Sequence, residues 1–101
     1  MKIVTAIIRT TSLEGVVKAL QDIGIRGLTI SEIKGIGEQV KLNSPYTFHN
    51  RVEIIVPDEK ADEVANAILE YANTGLSGDG LIAVCPTDYV IKIRTKEKMK
   101  G

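Results

Sequence analysis

The sequence predicts a single α+β domain in which two helices cover a small sheet, in the order β-α-β-β-α-β with a short extra strand at the end. Three observations predict it. Several short stretches alternate apolar and polar residues at the two-residue period of a strand, two longer stretches carry an apolar stripe at helical spacing, and Gly, Pro and Asn punctuate the joins. Apolar residues make up 44% of the 101 residues but aromatic ones only 4%, so the core must be built from Ile, Val, Leu and Ala. A chain of this length buries enough apolar surface to fold as one domain without staples.

Residues 2–9 alternate and are rich in Ile and Val, which predicts the first strand, with Ile3, Thr5, Ile7 and Arg9 on one face. Thr11 and Glu14 have the spacing of a capping box. Leu13, Val16, Val17, Leu20 and Ile23 then follow at helical spacing up to Gly24, which predicts a helix over about 12–23. Residues 27–33 alternate again as a second strand, with Leu28, Ile30 and Glu32 opposite Thr29, Ser31 and Ile33. Between Lys34 and Asn50 the rhythm fails and Gly35, Gly37, Asn43, Ser44 and Pro45 favour turns, so a long loop is expected there.

Arg51 to Pro57 reads as the third strand, ended by a proline that cannot donate to a ladder. Asp58 is a natural cap for a second amphipathic helix, whose stripe is Ala61, Val64, Ala65, Ile68, Leu69 and Ala72. A glycine-dense loop over 74–80 leads into two short strands, 81–85 and 89–94, and Lys96, Lys98 and Lys100 make a basic tail. Two βαβ halves of similar length make this a ferredoxin-like arrangement, a fold that hosts many unrelated functions.

Thirteen Lys plus Arg balance thirteen Asp plus Glu, which removes the counterion-release energy that drives general nucleic-acid binding. No apolar run approaches the roughly 20 residues of a membrane span, and no secretory leader is legible at the N-terminus. Cys85 has no second cysteine to pair with, and in an apolar strand it reads as a small hydrophobe. The expectation is a cytoplasmic protein that contacts membranes only through a partner.

Four segments in register resemble the PII signal-transduction family, and together they run through nearly the whole chain. Lys34-Gly35-Ile36-Gly37-Glu38-Gln39 resembles the K-G-x-G-R-Q stretch at the base of that family's T-loop, and Val52-Glu53-Ile-Ile-Val-Pro57-Asp58 the strand that leaves it. Thr74-Gly75-x-x-Gly78-Asp79-Gly80 resembles the B-loop motif T-G-x-x-G-D-G, and Val90-Ile-Lys92-Ile-Arg94-Thr95 the closing V-x-R-I-R-T. The resemblance implies residues 1–95 as the domain, 36–49 as a shortened T-loop, 74–81 as the B-loop and 96–101 as the tail. It also implies a homotrimer that is not an enzyme and that binds an adenine nucleotide between subunits. Ile7, Thr29, Gly35, Gly37, Glu38, Gln39, Glu53, Gly78, Asp79, Gly80, Lys92 and Arg94 would then form the cleft.

The chemistry of the residues agrees with that implication. Glycines flanking Asp79 let backbone amides approach an anion, because glycine lacks Cβ and accepts positive φ. Lys92 and Arg94, two apart on an expected strand, would point the same way and offer a pair of cations.

The departures from the family pattern carry information too. Leu81 replaces the lysine after G-D-G, Glu38 replaces an arginine, and Lys92 replaces the first arginine of the closing pair. A carboxylate near a polyphosphate costs on the order of 1 to 4 kcal/mol, which favours AMP or ADP over ATP. His49 stands where the family has a lysine that helps hold 2-oxoglutarate, so sensing of that acid is not expected, while Gln39 keeps the question of Mg²⁺ open. Taken alone, His49 has no second His and reads as neither a metal ligand nor a switch. Tyr46 and Phe48, aromatic in an otherwise polar loop, are candidates for contact with a target transporter or enzyme. Two rival readings stay open: a trimeric adaptor without a nucleotide, and a small ferredoxin-like enzyme, for which no paired acid, base or nucleophile is evident.

Overall fold

The computed structural model describes residues 1–36 and 46–100. Strand β1 (Lys2–Arg9) passes through a 3-10 turn at Thr10–Ser12 into helix α1 (Leu13–Asp22), followed by β2 (Thr29–Gly35) and β3 (Thr47–Val56). Helix α2 (Asp58–Ala72) then leads to β4 (Gly80–Pro86), β5 (Tyr89–Ile91) and β6 (Lys98–Lys100). The first four strands form one antiparallel sheet in the order β2-β3-β1-β4, and β5 pairs with β6 in a separate hairpin. This is the ferredoxin-like α+β fold that the order of elements predicts.

Strand alternation decides which side of the sheet the helices cover. Val4, Ala6 and Ile8 of β1 and Val52, Ile54 and Val56 of β3 are buried against Val16 and Leu20 of α1 and Val64 and Ile68 of α2. Each fully buried Val, Leu or Ile among them contributes about 1.5 to 3 kcal/mol. The opposite face carries Ile3, Thr5, Ile7 and Arg9, flanked in register by His49 to Ile55 on one side and Leu81 to Cys85 on the other. No helix among the described residues covers that face: Ile55 is 50% exposed and Leu81 58%. Cys85 lies there and is exposed, so in the single chain it does not pack as a core hydrophobe.

Local signals misplace several boundaries. Neither helix has a side-chain cap: the Thr11 to Glu14 box does not form because a 3-10 turn occupies Thr10–Ser12, and Asp58 is already helical behind Pro57. β2 and β3 extend toward each other, pairing Lys34 with Phe48 and Gly35 with Thr47, so residues 47–49 of the expected loop belong to a strand. The polar run Thr47-Phe-His-Asn50 looks like loop, yet a partner strand satisfies its backbone, and Thr47 Oγ1 donates to the Gly35 carbonyl at 3.4 Å. At the far end the expected strand 89–94 stops at Ile91. There the Lys92 amide donates to the Glu97 carbonyl at 2.9 Å and the Lys96 amide to the Lys92 carbonyl at 2.7 Å. The turn so closed lets Lys98–Lys100 pair as β6, which turns part of the expected basic tail into structure.

Candidate functional site

Antiparallel pairing brings four chain segments to one end of the sheet. Arg9 ends β1 opposite His49 of β3, Gly35 ends β2 opposite Thr47, and Gly80 opens β4 opposite Ile8. The glycine loop, residues 74–80, therefore hangs beside Arg9 and His49. Asp79 folds it from within. Its Oδ2 accepts the amides of Thr74 at 2.8 Å and Gly75 at 2.9 Å, while its Oδ1 accepts the Thr74 hydroxyl and Arg9 Nε at 3.1 Å. The Thr74 hydroxyl, then the backbone amides and Arg9, hold the Asp79 carboxyl far below the usual carboxylate range.

This arrangement changes the reading of two residues. The sequence placed Asp79 in a binding cleft; here Oδ2 accepts two amides of the loop and Oδ1 is shared between the Thr74 hydroxyl and Arg9 of β1, so the carboxylate holds the loop together and ties it to the sheet. At Gly80, with φ +103°, a Cβ would stand 1.7 Å from the Ile7 carbonyl oxygen, so close approach of β4 to β1 already demands a glycine there. Gly78 also lies at positive φ, +91°. The amides of Ser77 and Gly78 find no acceptor among the described residues.

Two more side chains brace the loop, and the sequence did not mark either as part of the site. The Arg9 guanidinium donates to the Ser77 carbonyl, and His49 Nε2 lies 2.8 Å from the Gly78 carbonyl. Separations of 68 and 29 residues leave no local signal for these bonds. Next to them, Lys34 Nζ, near the end of β2, stands 4.6 Å from the centre of the Tyr46 ring, just before β3. Tyr46 is 40% exposed and Phe48, on β3, 64% exposed.

The open face of the sheet collects a second group. Ile7 sits between Arg51 and Leu81, and Thr29 pairs with Glu53, which also accepts the Thr5 hydroxyl at 3.5 Å. A shallow groove runs past Ile3, Leu28, Thr29, Glu53 and Ile55. Gly35, Gly78, Asp79 and Gly80 thus gather at one end of the sheet, and Ile7, Thr29 and Glu53 line its uncovered face.

Lys92 and Arg94 do not join them. They follow β5, beyond the Pro86 end of β4, whereas the glycine loop precedes the Gly80 end. At about 3.3 Å per residue, β4 alone separates the two by roughly 20 Å. Nor do they share a strand face, because residues 93–95 form a turn. Gly37, Glu38 and Gln39 lie outside the described residues. Among the described residues no group of His, Cys, Asp and Glu is arranged to hold a metal ion, and no helix is long and apolar enough to cross a membrane.

The molecule is thus a ferredoxin-like sandwich with a braced glycine loop at one end of its sheet and, in the single chain, an uncovered apolar face. The family model for nitrogen regulatory protein P-II matches residues 1–97. The nitrogen regulatory protein P-II of Nostoc punctiforme is 43% identical, with 97% of this chain and 96% of that protein covered. The P-II protein of Pasteurella multocida is 38% identical with 97% and 96% covered, and the P-II 2 protein of Methanothermobacter thermautotrophicus 38% with 99% and 95%. The chain belongs to the nitrogen regulatory protein P-II family, and it is accordingly a regulator and not an enzyme.

Proposed function

We propose that this regulator binds an adenine nucleotide in clefts between the subunits of a homotrimer, AMP or ADP in preference to ATP, and controls a target transporter or enzyme through the loop that leaves β2 at Gly35. The observation that carries this reading is the separation of the recognition elements. The glycine loop with its free amides and the cations Lys92 and Arg94 stand at opposite ends of β4, so one chain cannot close them on one ligand. A neighbouring copy can. The uncovered face bearing Ile3, Ile7, Ile55 and Leu81, together with Tyr89, Ile91 and Ile93 on the hairpin and its turn, offers apolar surface for that neighbour to bury.

In this reading Ser77, Gly78 and Asp79 present amides to phosphate oxygens, as a concave run of backbone donors does for anions generally. Lys92 and Arg94 of the next subunit neutralise charge, and Ile7, Thr29 and Glu53 meet the nucleoside. Leu81 puts no ammonium where a third phosphate would gain from one, which is the basis for AMP or ADP ahead of ATP. The ligand biases the following loop by differential affinity for its states, because Gly35 and His49 lie at the root of both.

The test is isothermal titration calorimetry with AMP, ADP, ATP and cyclic AMP, with and without Mg²⁺, alongside the mass of the protein in solution. A trimer binding one nucleotide per subunit is the expected result. A trimer that binds none of them would point to an adaptor without a nucleotide, and a monomer would overturn the shared cleft.

A further inference from the structure

The carbonyl groups of Ser77 and Gly78 are consecutive, and each is held by a side chain from a different strand. Arg9, at the end of β1, donates to the first, and His49, near the start of β3, lies 2.8 Å from the second. Arg9 and His49 are register partners, so they flank each other on the uncovered face of the sheet. A carbonyl oxygen only accepts, so the imidazole must donate, and Nε2 carries the proton. No peptide bond in the described chain is cis.

In a trans peptide the carbonyl and the following N–H point in opposite directions within one rigid plane. Drawing the Ser77 carbonyl toward Arg9 therefore turns the Gly78 N–H away from it. Drawing the Gly78 carbonyl toward His49 does the same to the Asp79 N–H. The positive φ of Gly78, +91°, is the joint between the two planes. We infer that His49 is a positioning residue: with Arg9, it orients the glycine-loop amides for a phosphate or similar oxyanion without touching the ligand itself.

The rest of the surroundings supports a separate task for His49. Asp79 already folds the loop through Thr74, Gly75 and Arg9, so the loop closes without the imidazole. What His49 adds is the orientation of one peptide plane. It also ties that plane to β3, the strand that follows the loop assigned to the target protein. The inference rests on the proposal that phosphate binds at the glycine loop, and the experiment separates the two.

ADP and adenosine are titrated against the intact protein and against His49→Gln and His49→Leu, each checked for an unchanged thermal midpoint. Glutamine can place an amide N–H where Nε2 stands, whereas leucine keeps bulk without a donor. His49→Leu is expected to weaken ADP about tenfold, the scale of one well-placed hydrogen bond, and His49→Gln to recover most of that loss. Adenosine, which has no phosphate, is expected to bind all three proteins alike. Equal affinity of His49→Leu and the parent for ADP would overturn the inference, as would a parallel loss for ADP and adenosine.

If the parent itself binds no ADP, the nucleotide reading fails, and the amide resonances of the loop decide the positioning role. Displaced Gly78 and Asp79 amide resonances in His49→Leu, restored in His49→Gln, support it, and unchanged resonances in His49→Leu remove it.

Discussion

Replacing Gly80 with alanine probes the junction between the glycine loop and the sheet most directly. The added methyl would lie 1.7 Å from the Ile7 carbonyl oxygen and 2.8 Å from its carbon, on a backbone held at φ +103°. Both atoms belong to β1 in the middle of the sheet, so no flexible side chain can move aside. An L-residue forced to this φ costs about 1 to 3 kcal/mol. Opening the start of β4 far enough to admit the methyl also sacrifices one or two ladder hydrogen bonds, at about 0.5 to 1.5 kcal/mol each. The expected loss is therefore about 3 kcal/mol, read by urea denaturation at fixed protein concentration, because assembly would otherwise move the midpoint. Gly35→Ala is the control. Its Cβ would meet nothing within 4 Å and its φ is not positive, so stability should hold or rise by about 0.5 kcal/mol through the unfolded chain. A Gly80→Ala protein within about 1 kcal/mol of the parent would refute the close approach as the reason for this glycine.

Three further outcomes are expected. Arg94→Ala, in an exposed turn, should weaken nucleotide binding in calorimetry while leaving the denaturation midpoint unchanged; unaltered affinity would remove Arg94 from the cleft. The depressed Asp79 carboxyl contributes stability above its unfolded value of about 3.9, and this is lost as pH falls from there toward the lower folded value. Asp79→Asn should accordingly be less stable at neutral pH and flatter on the acid limb of a stability-against-pH curve, and parallel curves would refute the assignment. Leu81→Asp, on the uncovered face, should leave the chain folded by circular dichroism yet reduce its mass in solution to that of a monomer; an intact assembly would place the subunit contact elsewhere.

The glycine loop shows how differently two kinds of information reach the sequence. Its glycines and aspartate are legible because turns and positive φ select them locally. Their division of labour is not: Asp79 binds inward because Arg9, 70 residues earlier, and Thr74 offer it donors, and Gly80 is required by the Ile7 carbonyl. His49 read as an isolated histidine for the same reason, since its partner is a main-chain carbonyl 29 residues away that no residue type announces.

What the sequence determined by itself was the run of elements from β1 to β5 and most of their inward faces; it did not show β6, and it placed Leu69, which is exposed, in the stripe of α2. β1 runs over Lys2–Arg9 as its alternation predicts, and the stripe of α2 buries Ala61, Val64 and Ile68, because side-chain period and apolar burial act within a few residues. Only the tertiary structure decided how far β2 and β3 extend, since a strand made of Thr, Phe, His and Asn persists when a partner's backbone supplies its hydrogen bonds. The tertiary structure also parted Lys92 and Arg94 from the glycine loop. An alternating stretch is continued or turned by whatever backbone it finds to pair with, and here it turns after Ile91 and pairs with Lys98–Lys100.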